Sequence, residues 1–320
     1  MLKPNPLTLL AMALSVPGVV YAKTSIQLPA PTENQAVVSV ERSQAAILLN
    51  GEAIYQTPDR VSYFVQTPFR AEATTRAEIY GDMLDSKRIE VGAEGEKLRP
   101  WRGMGTYQNV LLLLDGFALE MIAYSFKSNA FLSRHSIMWD QLKPPRDRGG
   151  EAGNPEIQLF RSKFVSAMSK SDEIKFVGMS AVPQKWKETD AAEFFVASRL
   201  KDFAVLTMAC TDDDPARCRI RRGCMLEGAS SLVAEDIAGI GVSEARKLVM
   251  IGDRKKHLLH VFRYESCLHM PKIGEIALPK EVFQMSNLHI DAADRLWVTT
   301  IRPDNYHNAT AFWWQLPEIK

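Results

Sequence analysis

The sequence has almost no excess charge. Thirty-nine Lys plus Arg stand against 38 Asp plus Glu, a formal net charge of +1. Such a balance supplies neither the basic field that a nucleic-acid backbone requires nor an acidic tail, so no nucleic acid is expected as a partner. No internal run reaches the roughly 18–20 apolar residues of a membrane-spanning helix, so no transmembrane segment is expected in the mature chain. Cysteine is scarce, with four residues and no Cys-x-x-Cys pair, which removes the usual dithiol redox centre and the commonest zinc framework. His-Glu-x-x-His and a Gly-Lys-Ser/Thr phosphate loop are missing too. Gly178-Met-Ser-Ala181 and Gly228-Ala-Ser-Ser231 lack the second Gly of a nucleophile elbow. Gly239-Ile-Gly241 lacks the third Gly of a dinucleotide loop and precedes a strand-like run instead of a helix.

What is present begins with an address. Lys3 and the amino terminus are followed by a mostly apolar stretch, Leu7 to Val20, and then by Val20-Tyr21-Ala22. This is the pattern of a secretory signal with cleavage after Ala22, and residues 1–22 are read as one. No Cys follows the apolar stretch, so a lipid anchor is not expected. The cysteines agree with a periplasmic or secreted chain. Cys210, Cys218, Cys224 and Cys267 are even in number, and two disulfides are expected: Cys210–Cys218 across a hairpin tip, and Cys224–Cys267 between neighbouring units. Four reduced thiols in a cytosolic protein are the alternative.

Residues 23–35, rich in Pro, Thr and Gln, read as a flexible lead-in to one domain over 36–320. Short apolar or alternating runs dominate that domain, among them 61–66, 110–114, 194–198, 203–209, 247–251 and 288–291. Asn50-Gly51 and Asp115-Gly116 give hairpin signals between them. One segment departs from the pattern. Over 155–170, Ile157, Phe160, Phe164, Val165 and Met168 recur at helical spacing behind Pro155, which predicts a helix within an insertion at 144–170. Asp212, Asp213 and Asp214 next to Arg217, Arg219, Arg221 and Arg222 read as a solvated, self-neutralising hairpin. Phe312, Trp313 and Trp314 fall in sequence, so their strand must carry aromatics on both faces.

Two stretches match at an offset of 48 residues: Ile240-Gly-Val-Ser-Glu-Ala-Arg-Lys-Leu-Val-Met-Ile251 and Leu288-His-Ile-Asp-Ala-Ala-Asp-Arg-Leu-Trp-Val-Thr299. Each reads as strand, tight turn, strand. A repeat of that length made from short antiparallel strands predicts an all-β fold, a β-propeller, with about six units of about 45 residues fitting the mature chain. The stretch Asn287-Leu-His-Ile-Asp-Ala-Ala-Asp-Arg-Leu-Trp-Val-Thr-Thr300 resembles the inner strand pair of NHL-type and gluconolactonase-type (senescence-marker-like) propellers, with Asp294 standing where those families carry Gly.

That resemblance implies a central channel, and in the lactonase branch a divalent metal held there by a Glu, an Asn and an Asp. Asn287, His289, Asp291 and Asp115 are the candidate channel-lining residues. Asp115 and Asp291 serve equally well as turn residues, and Asn287 as a turn or cap. With no complete catalytic set, the expected function is non-catalytic: an exported propeller that binds a protein or small-molecule ligand on one face, with no cofactor. The alternative is a metal-dependent, lactonase-like hydrolase with Ca2+ or another divalent ion in the channel.

Overall fold

A computed structural model of the chain describes residues 24–32, 36–38, 48–56, 62–68, 78–81, 103–107, 110–116, 118–125, 130–139, 154–170, 174–187, 191–200, 202–290, 294–301 and 309–319. The expected signal at 1–22 and the insertion loop at 144–153 lie outside these residues.

Short apolar runs bounded by turn residues become strands, as the sequence pattern requires. Two N-terminal strands, β1 (Thr24–Gln27) and β2 (Ala36–Val38), join sheets built by later parts of the chain. The first full sheet holds β3 (Leu48–Gln56), β4 (Ser62–Pro68) and β5 (Glu78–Gly81). The second holds β6 (Gly103–Tyr107), β7 (Val110–Asp115), β8 (Glu120–Ser125) and β9 (Ala130–Ser136). The third holds β10 (Phe176–Ala181), β11 (Ala192–Ser198), β12 (Val205–Cys210) and β13 (Cys218–Gly223).

A two-residue strand, β14 (Leu226–Glu227), leads into the fourth sheet: β15 (Ile237–Ser243), β16 (Leu248–Asp253), β17 (Leu258–Arg263) and β18 (Met270–Ala277). The fifth holds β19 (Gln284–Ile290), β20 (Arg295–Ile301) and β21 (Ala309–Gln315). Within each full sheet the strands pair antiparallel in chain order.

The first strands of the sheets touch one another in turn. β6 lies against β3 and β10, β15 against β10 and β19, and β19 against β3. Apolar side chains fill the spaces between sheets. Leu112, Leu114, Phe194 and Met208 lie between the second and third, Phe195, Ile251 and Phe262 between the third and fourth, and Met250, Leu288, Leu296 and Trp314 between the fourth and fifth. Middle strands are therefore buried on both faces, as β11 and β16 are throughout.

Glycine allows the first strands to come this close. A Cβ on Gly178 of β10 would fall 2.6 Å from the Cα of Gly239 in β15. One on Gly239, whose φ is +87°, would fall 2.3 Å from Oδ1 of Asn287 in β19. Larger residues at either position would separate the strands.

The N-terminal segment joins the last two sheets. β2 extends the fifth sheet by pairing antiparallel with β21, as expected if the chain's end is completed by its beginning. β1 runs parallel to the outer edge of β18, Leu28 enters the core, and the Trp314 indole N–H donates to the Pro29 carbonyl at 3.1 Å. Within the stretch 23–35, read as a flexible lead-in, residues 24–28 thus pair with or pack against the fourth sheet. Its Ile26 and Leu28 find apolar neighbours, and the edge of β18 offers unpaired backbone groups that a strand can satisfy.

Three further observations bear on the sequence reading. The sequence pattern suggests about six units in the whole chain, and five sheets form among the described residues. Their first strands begin at Leu48, Gly103, Phe176, Ile237 and Gln284, so most units are longer than the repeat length inferred from the C-terminal pair. Asn50-Gly51 lies inside β3, where the register shifts between Leu49 and Gly51; the dipeptide makes a bulge, not a hairpin turn. Finally, the repeat does not keep one offset. Val242 pairs with Val249, whereas Ile290 pairs with Leu296, so the later turn is one residue shorter.

The predicted helix is present as α1 (Pro155–Lys170). Asn154 caps it, its Oδ1 accepting the Glu156 N–H at 2.9 Å. Phe164 and Met168 are buried and Phe160 packs against the same core, so the stripe docks on the sheets.

Candidate functional site

The strands β10, β15 and β19 end on the same side of the molecule, and a cavity of about 1330 Å³ opens there. Their last residues form its floor: Ser180 and Ala181, Val242 and Ser243, His289 and Ile290. The 3₁₀ turn Gln184–Trp186, the β15–β16 turn and the segment after β17 form its walls. Below the floor, the Gly178, Gly239 and Asn287 contacts bring the same strands together.

One wall is aromatic. The Trp186 and Tyr264 rings stack with centroids 4.2 Å apart and 13° between planes, and Phe195 meets Tyr264 edge-on at 5.6 Å. Burial pushes the Tyr264 phenol above its ordinary value; Glu193 adds to this and Arg222 opposes it. At neutral pH the group is therefore an uncharged hydroxyl.

Charged groups occupy the rim, and most are already paired. Lys185 lies 3.7 Å from Glu244, and Glu265 3.1 Å from His269. Asp294 is held most firmly: Ser243 Oγ donates to it at 2.8 Å and the Arg246 guanidinium pairs with it, while Arg246 also donates to the Pro317 carbonyl at 2.7 Å. Asp294 has a φ of +60°, the left-handed region that favours Gly. Asp tolerates that conformation better than most residues, and here its carboxylate ties the fourth sheet to the fifth. Among the described residues, Lys247 and Arg263 have no ion-pair partner. The Tyr264 N–H donates to the Lys247 carbonyl at 2.8 Å, so the two cations flank one cross-strand position.

The sequence-predicted residues are not gathered in one place. His289 lines the cavity. Asn287 is buried, its Oδ1 accepting the Leu288 N–H at 2.8 Å and lying against Gly239. Asp115 is a buried turn residue whose Oδ1 accepts the Ala118 N–H at 2.8 Å. Asp291 lies outside the described residues. Among the described residues no group of three or more His, Cys, Asp or Glu could hold a metal ion. With Asn287 turned into a strand contact and Asp115 into a turn, the described residues do not assemble the Glu–Asn–Asp site implied by the lactonase resemblance.

Trp186, Tyr264, Lys247 and Arg263 were not singled out from the sequence. Lys247, Arg263 and Tyr264 lie at the open end of one hairpin, β16–β17, but Trp186 comes from a turn about sixty residues earlier, and no local pattern marks their convergence. Both expected disulfides are present, Cys210–Cys218 and Cys224–Cys267.

The Asp-rich hairpin is in part the self-neutralising tip expected of it, with Asp212 and Asp213 exposed and Arg217 3.7 Å from Asp213 and 3.8 Å from Asp214, but it also makes contacts to another sheet. Tyr107 donates to Asp212 at 2.6 Å, Ser133 donates to Asp214 at 2.6 Å, and the His135 Nε2 lies 2.6 Å from the other Asp214 oxygen. Burial would raise the Asp214 carboxyl, but the Ser133 and His135 contacts outweigh it and hold the group below the ordinary carboxylate range. Ser133 and His135 each meet Asp214, so His135 does not stand between the other two as a catalytic relay requires. The cluster bolts the second sheet to the third.

No protein-family model matches the sequence, and neither does any curated protein. Among solved structures, the chain is similar to the β-propeller domain of Cps50 (Swd1) from Myceliophteria thermophila, at 9% identity and a TM-score of 0.37, over 80% of this chain and 67% of that one. It is also similar to a functionally unknown protein from Desulfotomaculum acetoxidans, at 10% identity and a TM-score of 0.41, over 79% of this chain and 63% of that one. The chain thus spans about two thirds of each. Likeness at this level carries no functional weight.

Proposed function

We propose that the five sheets are the blades of one β-propeller ring, and that this ring is exported to the periplasm or beyond the cell. There it works as a non-catalytic binding or scaffolding module that takes a protein ligand at the mouth lined by β10, β15 and β19. The observation that carries this reading is the mouth itself: a wide cavity with an aromatic wall and a charged rim, above a hub filled by strand contacts. Clefts of this kind, concave and partly apolar with a few polar groups, are where ligands are held. The cyclic contact order of the first strands supports the ring. The left-handed Asp294 turn supports placing it beside the NHL-type propellers. Export is supported by disulfides that engage all four cysteines, chemistry favoured in oxidising compartments.

Site-specific photo-crosslinking in the producing cells tests this directly. A photo-reactive residue at position 185, on the mouth, should yield a discrete protein adduct in the exported fraction. The same residue at position 255, in the turn at the far end of β16, should not. Equal labelling from both positions, or none from 185, would rule out the mouth as the working surface.

A further inference from the structure

We infer that the mouth recognises an acidic peptide segment, held by Lys247 and Arg263 against the Trp186–Tyr264 stack; this rests on the reading of the mouth as the ligand site. Three observations lead there. First, the charges of the rim are unequally engaged. Glu244 and Asp294 each have a cationic partner and Glu265 lies 3.1 Å from the His269 imidazole, whereas Lys247 and Arg263 have no ion-pair partner among the described residues. An incoming carboxylate therefore meets two available cations. An incoming cation meets Glu244 and Asp294 already engaged with Lys185 and Arg246.

Second, the two cations border a flat apolar wall. The Trp186 and Tyr264 rings are stacked at 4.2 Å, and the Tyr264 backbone is bonded to Lys247. A ligand that satisfies both needs carboxylates alternating with apolar side chains within a few ångströms, which an extended acidic peptide supplies. Third, the cavity, at about 1330 Å³, is larger than the roughly 300–1,000 Å³ that encloses a drug-sized molecule. It has room for a run of residues. A nucleic acid fits poorly. Its continuous phosphates need a basic stripe, and the carboxylates of Glu244, Glu265 and Asp294 lie on the same rim.

The test uses the full chain and three blocked, fluorescently labelled dodecapeptides of one design, made of Gly, Ser and Leu with four Glu, four Gln or four Lys. Fluorescence anisotropy should show the Glu peptide binding about five- to tenfold more tightly than the Gln peptide, with the preference shrinking as salt is raised. The Lys peptide should bind weakest. The double variant Lys247→Glu, Arg263→Glu should reverse that order. If the reversed pair does not fold, Lys247→Gln with Arg263→Gln should erase the preference, and the salt titration needs no variant at all.

Equal binding of the three peptides, lost in Trp186→Ala, would overturn the acidic preference while leaving the mouth as a binding site. A Glu preference that survives both the rim variants and Trp186→Ala would place the acid-binding surface elsewhere and remove the mouth from the account. Binding of none of the three would overturn the inference alone, and the crosslink from position 185 would still judge the mouth.

Discussion

The fourth sheet carries two groups of charges that behave in opposite ways. At the mouth, Lys247 and Arg263 are exposed and have no ion-pair partner among the described residues. Within the sheet, the buried Asp253, His260 and Lys272 form a network with one another and with the partly exposed Glu275. His260 Nε2 lies 3.5 Å from Asp253, its Nδ1 3.5 Å from Glu275, and Lys272 Nζ 2.6 Å from Glu275. Asp253 also accepts the Lys256 N–H at 2.9 Å. Charges removed from water must hold each other, because each one left alone is costly. Charges that remain in water need no partner and contribute little to stability. The buried group is therefore structural, and the exposed pair is the one available to a ligand.

The comparison breaks most readily at Asp253. Asp253→Ala removes the fully buried carboxylate of the network and should cost about 3–5 kcal/mol in urea unfolding. A loss below about 1 kcal/mol would mean that water reaches the network. The disulfides follow. Cys224→Ser with Cys267→Ser opens a separation of 43 residues, and Cys210→Ser with Cys218→Ser one of 8. The loop-entropy relation gives about 4 and about 2.5 kcal/mol, so melting should rank the pairs in that order.

A smaller effect is expected from pH. Burial, helped by the Lys272 charge, holds the His260 imidazole below its ordinary value of 6.5, against Asp253 and Glu275. The unfolded chain therefore takes up a proton near pH 6.5 that the folded chain refuses, and stability falls as pH drops below that value. His260→Gln should flatten the profile between pH 7 and pH 5. An unchanged slope would assign it to carboxylates. The smallest change is at the rim: Lys247→Ala and Arg263→Ala should each alter stability by less than about 0.5 kcal/mol while weakening capture of the acidic peptide.

Much of this fold is legible where chemistry is local. Periodicity gives α1 and its buried Phe164 and Met168. Length and turn residues give most strands, and the even set and spacing of the cysteines suggest both disulfide pairs. Readings that need a partner from elsewhere in the chain fare worse. Asp212 and Asp214 look like a solvated tip until Tyr107, Ser133 and His135 of another sheet meet them. Asn50-Gly51 has the composition of a turn, yet its neighbours keep pairing across it. The mouth is the extreme case. Lys247, Arg263 and Tyr264 meet through the β16–β17 hairpin, but Trp186 reaches Tyr264 only after the third and fourth sheets pack, so no spacing within the sequence marks the mouth. His289 was reachable because it sits on the strand that carries the repeat.

Hydroxyl-radical footprinting of the full chain, with and without the four-Glu peptide, tests the mouth most directly. The account predicts protection of Trp186 and Tyr264, with Phe131 and Leu132 on β9, which are 41% and 47% exposed, left as reactive as before. Protection at Phe131 and Leu132 with Trp186 unchanged would contradict it.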